Sequence, residues 1–537
     1  MEQQQKKTIW LYNGLLLALV IIFFFTNYYN KTLFFHPCSN HQWRQSDCLS
    51  IAKNYYEGGM HFFQPKIHFQ GPKDGKAVSE LPILNYTAAA LWKVFGEHEF
   101  IYRLLEYLIY LTGIFTLFNT IGIYLRSWLL SFFTVGILLT SPLLTFYSLN
   151  FIADVPALSI GVISLCLFFR FYNNGRNYLF YLSLVLGTLA VLMKASAIIP
   201  LALIYLFSFF DITSINRVFK TKVLFSSKAL PIVALVASAL LIVGWYRWAL
   251  AYNNDATNNI FLLTILPIWE MEKAEVLSIA KVLILDLFPV WLNKPMLMLF
   301  FIMVFYVIAR FRSLSSFFRV AFLASASFFV VYLLFFFRVF SVHDYYLNNL
   351  MIFPVITFMA SVELLVNSKL LQSNRLFVTI LLFVTLTLNE LNAAGQYRLK
   401  MIDKDAMSEW NPFVHKEEIK GVEYLFWDYS RSIKKIEDYR PIMRKHGISR
   451  NDLVLTTPDQ SFNIALYFLD QKGFGISRDH FENDSTVIRH FRFRGIKYFV
   501  LLDTTMKQLP AFRPFKPFVE PFFVENGVEV LKLKSDF

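Results

Sequence analysis

Eleven apolar runs, each near the length of a membrane-spanning helix, constrain this chain more than any other feature. They centre near residues 9–27, 101–123, 128–146, 153–171, 178–193, 195–210, 230–250, 295–309, 320–337, 346–366 and 376–393. About 20 apolar residues carry a helix across a bilayer, and helices satisfy their own backbone hydrogen bonds in lipid. Charged residues make up 17% of the 537 positions, against 56% hydrophobic. Soluble domains carry roughly 25% charge. The composition is that of an integral membrane protein.

The first run follows Lys6 and Lys7, as a signal peptide would. It continues into Phe-Phe-Phe-Thr-Asn-Tyr-Tyr without the small residues of a cleavage site, so a retained anchor is expected. With a cytoplasmic amino terminus, the turns on that side carry Arg126, then Arg170 and Arg176, then Arg217, Lys220, Lys222 and Lys228. Arg310, Arg312 and Arg319 follow, then Lys369 and Arg375. That is a positive-inside pattern. It accounts for most of the formal net charge of +13, which an anionic lipid face suffices to match. Nucleic acid is not called for. Of three cysteines, Cys38 and Cys48 share the first loop and Cys166 lies in a span. Their spacing fits a disulfide or two free thiols.

An odd number of spans places the first loop, residues 28–98, the loop from about 252 to 294 and the carboxyl-terminal region together on the outer side. In the first loop, Ser39 or Asn40 can cap a helix through Trp43, Asp47, Ile51 and Tyr55, stopped by Gly58-Gly59. A second segment, residues 81–95, carries Leu84, Ala88, Leu91, Trp92 and Phe95 on one side and reads as an interfacial helix. The chain therefore divides into a membrane domain, residues 1–394, and a soluble domain, residues 395–537. In the latter, strands at Leu453-Val-Leu-Thr-Thr457 and Lys497-Tyr-Phe-Val-Leu-Leu502 alternate with helices near 416–445, 462–469 and 484–493. That alternation predicts a small α/β fold.

Charged residues gather at the outer ends of the spans. Trp43, Arg44 and Asp47 share a helix face, which suits a carboxylate beside a sugar; a surface Arg44–Asp47 ion pair fits the spacing equally. Glu80 precedes Leu-Pro and fits the amino end of the interfacial helix. Asp154, two residues before Pro156, fits a helix cap. Lys194 interrupts Val-Leu-Met-Lys-Ala-Ser-Ala and can either snorkel to the interface or hold a phosphate. Arg103, with Glu106 one turn on, can form an ion pair or grip phosphate through two hydrogen bonds. His343 and Asp344 lack metal-ligand spacing with a second His or Cys, and Tyr345 and Tyr346 fit an aromatic belt. No cofactor is specified; a divalent metal stays open. The chain has no Walker-type phosphate loop and no Gly-x-Ser-x-Gly elbow.

Trp43-Arg-Gln-Ser-Asp47, Ile51-Ala-Lys-Asn-Tyr-Tyr-Glu, Pro65, Ser79-Glu-Leu-Pro-Ile-Leu, Phe95-Gly96, Arg103-Leu104, Asp154, Lys194-Ala-Ser and His343-Asp-Tyr-Tyr346 resemble the GT-C fold glycosyltransferases. The similarity is to bacterial relatives of protein mannosyltransferases and of the lipid A aminoarabinose transferase. It covers the membrane region, and the carboxyl-terminal domain in arrangement only. The mannosyltransferase pattern has an acidic pair in the first loop, whereas here Asp47 is followed by Cys48, so no dyad or metal role is carried over.

The resemblance implies an inverting enzyme that takes sugar from a polyprenyl-phosphate donor to a lipid, glycan or protein acceptor outside a bacterial cytoplasmic membrane. Asp47 would act as general base, with Glu80 and Asp154 positioning sugar or acceptor. Arg103 and Lys194 would neutralise the departing lipid phosphate. Trp43, Arg44, His343, Asp344, Tyr345 and Tyr346 would line the substrate. The rivals are a secondary transporter or lipid flippase, whose embedded charges mark a substrate path, and a noncatalytic envelope assembly protein.

Overall fold

The computed structural model describes residues 2–71, 74–254, 267–366, 374–401, 433–459, 461–483 and 494–534, together with 261, 265 and 368. The chain forms two compact units. A helical unit comprises residues 1–33, 103–247 and 263–398, and a mixed unit comprises 34–102, 248–262 and 399–537.

Among the described residues, eight helices are long and apolar enough to cross a membrane: Lys6–Thr26, Glu99–Tyr124, Asp154–Asn174, Ala195–Ile212, Ala229–Asn253, Ser316–Phe335, Asp344–Val366 and Leu376–Met401. The protein is a multi-pass membrane protein. The three other expected runs are helical but shorter or bent, each for a local reason. The run near 128–146 stops at Leu139 and restarts at Pro142, where the Ser141 side chain accepts from the Leu144 amide and Pro142 supplies a ready first-turn φ. Asn177–Met193 ends where Lys194 turns extended, with φ −158° and ψ 116°. Lys273–Leu292 and Lys294–Ala309 meet at a 93° bend. Asn293 makes that bend with φ 50° while its side chain caps the Met296 amide.

Asp154–Asn174 and Asp344–Val366 are each 83% buried over their apolar windows, whereas Lys6–Thr26 is 11% buried. The first two therefore form the centre of the unit, as their mostly apolar side chains allow. Among the described residues, the buried charged side chains of this unit are Arg103, Glu106, Asp154, Lys194, Asp211 and Glu390. Burying them without partners would cost several kcal/mol each, on the order of the ion-burial penalty.

In the mixed unit, a five-stranded sheet has the order β2-β1-β3-β5-β4. Its strands are β1 (Leu453–Thr457), β2 (Gly473–Gly475), β3 (Ile496–Leu501), β4 (Val519–Glu525) and β5 (Val528–Leu533). β1 runs parallel to β2 and β3, and β5 pairs antiparallel with β3 and β4. Leu455, Phe474, Phe499, Phe512, Phe515 and Leu531 pack as its core. The β4–β5 hairpin turns through Asn526 and Gly527, both with positive φ, which matches the twist of the strands it joins.

At the free edge of β2, Phe69 bridges in parallel to Gly473. A Cβ at Gly473 would stand 1.9 Å from the Val454 carbonyl oxygen, so only glycine allows this strand to approach β1. The bridge ties the 34–102 segment into the same unit.

Two helices of that segment match expectation. Gln42–Glu57 stops at Gly58, and Ile83–Phe95 buries Leu84, Ala88 and Trp92, although Phe95 is exposed. The expected cap is corrected: His41, not Ser39 or Asn40, takes the N-cap position, in a left-handed conformation without a side-chain cap bond. The strands at 453 and 497 form as expected. The helix expected near 462–469 runs Ile464–Leu469. The expected 416–445 helix lies outside the described residues up to 432; beyond that, only Arg440–Lys445 is α-helical. The one expected near 484–493 lies outside them entirely.

Candidate active site

Asp47 sits in the second turn of the Gln42–Glu57 helix and is 1% exposed. Its Oδ1 accepts a 2.9 Å hydrogen bond from Asn463 Nδ2, and among the described residues its Oδ2 has no hydrogen-bond partner. Burial raises the Asp47 carboxyl to about 7, against the opposing pull of the Arg44 charge and the Asn463 hydrogen bond. A carboxyl poised there can both take and release a proton near neutral pH.

Asn463 is itself fixed, because its Oδ1 accepts from the Phe69 amide at 3.0 Å. It occupies the N-cap position of Ile464–Leu469. Asp459, whose carboxylate accepts from the Ser461 and Ala465 amides, adds a second negative charge that works against ionisation of Asp47.

The surface Arg44–Asp47 pair is not what forms. Arg44 is 8% exposed; its Nη2 donates to Glu80 Oε2 at 2.5 Å and to Ser79 Oγ at 3.2 Å, and its guanidinium lies 4.8 Å from the Phe261 ring centroid. Glu80 correspondingly stands before the Ile83–Phe95 helix, whose N-cap is Pro82, and it holds Arg44 rather than serving that helix end. Trp43 is half-buried and meets His41 edge to face.

A second group forms within the helical unit. Lys194 Nζ is 3.1 Å from Asp154 Oδ2. Asp154 is the first residue of its helix, where the dipole favours an anion, and Lys194 follows the last residue of another, where it favours a cation. Ala153 takes the N-cap position, so Asp154 is a buried ion-pair partner and not a cap. Nor does Lys194 snorkel: it is 7% exposed, with the Tyr345 and Tyr346 rings 5.0 and 5.2 Å from its ammonium. Such cation–π contacts strengthen when desolvated.

Tyr345 is buried, which removes it from a membrane-surface belt, and Tyr346 stacks on it at 4.9 Å. His343 packs 5.3 Å from the Tyr345 ring, and Asp344 Oδ1 accepts from Tyr147 Oη at 2.5 Å. Asn349 Nδ2 donates to Ser196 Oγ at 2.8 Å, linking the segments that carry Tyr345 and Lys194.

Arg103 is fully buried, donates to the Thr32 carbonyl and stacks 4.4 Å from the Phe151 ring centroid. Glu106 is equally buried and faces the charges of Arg103 and Asp154. Neither of its carboxyl oxygens accepts a hydrogen bond among the described residues.

The expected residues thus assemble as two groups, Arg44, Asp47 and Glu80 in the mixed unit and Asp154, Lys194, Tyr345 and Tyr346 in the helical unit. Asn463, Asp459 and Tyr147 were not expected. No sequence motif marks Asn463, which reaches Asp47 only through the tertiary fold. Among the described residues no group of three or more His, Cys, Asp or Glu side chains is placed to hold a metal ion.

A helical membrane unit that buries these charges, joined in one chain to a mixed α/β unit, has the GT-C fold. The family described as dolichyl-phosphate-mannose-protein mannosyltransferase matches residues 79–245, a stretch that includes Glu80, Arg103, Asp154 and Lys194. No curated protein matches the chain in sequence.

Among solved structures, the chain is similar to ArnT from Cupriavidus metallidurans in its apo state, with 11% identity, TM-score 0.58 and 98% of each chain covered. The same protein bound to undecaprenyl phosphate aligns at 11% identity and TM-score 0.57, over 97% of this chain and 98% of that one. Archaeal oligosaccharyltransferase AglB from Archaeoglobus fulgidus, in complex with an inhibitory peptide and a dolichol-phosphate, aligns at 12% identity and TM-score 0.51. It covers 94% of this chain and 72% of its own.

Proposed function

We propose that the protein is a membrane glycosyltransferase that moves a sugar from a polyprenyl-phosphate donor to an acceptor outside the cytoplasm, with inversion at the sugar carbon. The observation that carries this reading is Asp47: a buried carboxyl raised to about 7, held by Asn463 on one oxygen. In the proposed reaction, Asp47 takes the proton from the acceptor hydroxyl as that oxygen attacks the anomeric carbon. The bond to the lipid phosphate breaks, and its electron pair leaves with the phosphate. One displacement inverts the carbon.

The leaving phosphate needs fixed positive charge that is already in place. In this reading Lys194 supplies it, oriented by Asp154 and by the two tyrosine faces, with Arg103 as a second cation. Glu80 holds Arg44 beside Asp47. The ArnT structure with bound undecaprenyl phosphate and the AglB structure with dolichol-phosphate support a polyprenyl-linked donor. The acceptor is a lipid, glycan or protein. The repeated basic turns support an inner-membrane protein whose mixed unit lies outside.

The 93° break at Asn293 is a feature that transporters share. Turnover separates the readings. Purified protein given a polyprenyl-phosphate sugar and lipid or glycan acceptors from the native membrane should release polyprenyl phosphate and a glycosylated product. Movement of donor across vesicles without product would favour the transporter. Mass spectrometry of lipids and surface glycans from cells with and without the protein then identifies the sugar.

A further inference from the structure

The mixed unit holds a cavity of about 430 Å³ whose lining residues include Asn54, His61, Lys66, Arg450 and Lys472. The topology explains why three cations meet there. Arg450 precedes β1 and Lys472 immediately precedes β2, so the parallel pairing of these strands puts both at the same sheet end. The parallel bridge from Phe69 to Gly473 brings in the segment bearing Lys66, which is itself bridged to Lys76. Among the described lining residues one carboxylate, Glu57, faces these cations, and Arg450 is ion-paired with it. Arg450 also pairs with Asp470 at 3.2 Å. Lys472 has Asn451 Oδ1 at 3.4 Å.

We propose that this cavity is a subsite for an oxyanion, a phosphate or carboxylate, carried by the acceptor at a position other than the reacting hydroxyl. Lys66 and Lys472 are the principal binding groups, with Arg450 fixed behind them by Glu57 and Asp470. Converging ammonium groups of this kind repel one another until an anion enters. The Lys472 ammonium records that repulsion: burial, then the Arg450 and Lys66 charges, hold it below the usual lysine value, with Asp74 opposing. Asn54 follows Asp47 by seven residues on one helix, two turns and about 10 Å along the axis. An anion at Asn54 would therefore sit on the helix face that also bears the proposed base.

The assignment to an acceptor rests on the glycosyltransferase reading; the anion site itself does not. The test is a binding series on the detergent-purified full chain, by thermal shift and calorimetry, with glucose, glucose 6-phosphate, glucuronate and inorganic phosphate. Undecaprenyl phosphate is titrated in parallel. The two anionic sugars should bind and glucose should not. Lys66→Gln/Lys472→Gln should weaken both anionic sugars about 10- to 100-fold or more, as expected for lost charge-assisted hydrogen bonds, with undecaprenyl phosphate affinity kept. Equal affinity in the double variant, or no binding of either anionic sugar by the wild type, overturns the subsite. Inorganic phosphate binding as tightly as glucose 6-phosphate shows a free-ion site and overturns the acceptor assignment. Failure of undecaprenyl phosphate to bind, with the anionic sugars still bound, counts against the donor reading and leaves the anion site standing.

Discussion

Asn463 donates a 2.9 Å hydrogen bond to Asp47 across 416 residues of sequence, so the proposed base is aligned by a residue from the carboxyl-terminal segment. A hydrogen bond to the ionised form lowers a carboxyl pKa. Asn463→Ala should therefore push Asp47 further above 7 and move the rising limb of the pH–rate profile upward by about 1–2 units. A profile measured from pH 5.5 to 9 would show the shift.

The same carboxyl predicts a cost in stability. Its folded pKa of about 7 lies above the unfolded value near 3.9, so the folded state binds the extra proton between these values. Stability is then lost as pH rises from about 4 through 7. Asp47→Asn, which keeps an acceptor for Asn463, should melt higher than wild type at pH 8 and show a smaller advantage at pH 5. Equal melting differences at both values would contradict the buried-carboxylate assignment.

Lys194 and Asp154 are a buried pair 3.1 Å apart. Lys194→Met removes one partner of the buried Asp154 charge and should destabilise by about 3–5 kcal/mol. Lys194→Met/Asp154→Asn should regain most of that stability. If the lysine serves the donor phosphate, the double variant still fails to transfer sugar; a stable and fully active double variant would make the pair purely structural. Thermal melts beside donor titration distinguish the two.

Asp470 gathers Lys53 at 3.0 Å, Arg440 at 3.1 Å, Arg444 at 2.8 Å and Arg450 at 3.2 Å. Burial works to raise its carboxyl, but the His68 hydrogen bond and the surrounding cations outweigh that and hold it well below the usual range. A depressed folded pKa gives stability that is present above the unfolded value near 4 and lost as pH falls through the folded one. Asp470→Asn should destabilise by several kcal/mol, about the cost of breaking a buried pair, with the loss shrinking below pH 4. Melting curves from pH 3 to 8 would test both signs.

Local signals explain which parts were legible in the sequence. Length and hydropathy reveal eight of the eleven expected spans, because lipid demands long apolar helices, and β1 and β3 announce themselves as short runs of aliphatic, β-branched and aromatic residues. Asn526-Gly527 is a readable hairpin signal that marks the β4–β5 pair. Arg44 illustrates what was not legible. Spacing allowed an Arg44–Asp47 pair as readily as a sugar-facing carboxylate, yet the tertiary fold brings Glu80 to 2.5 Å from Arg44, and no periodicity encodes that. Asp154 was ambiguous for a related reason: a carboxylate at a helix start reads as a cap until the chain places Lys194 beside it. Asn463 carried no signal at all, since its role exists only once two distant helices meet.

In the proposed reaction Asp47 deprotonates the acceptor as sugar leaves a polyprenyl-phosphate donor. The most direct test is single-turnover transfer by purified wild-type and Asp47→Asn protein, with folding checked by melting and donor affinity measured separately. The Asp47→Asn rate should be lower by about 100-fold or more, the usual contribution of a positioned general base, with donor affinity retained. Wild-type turnover in the folded Asp47→Asn protein would contradict it.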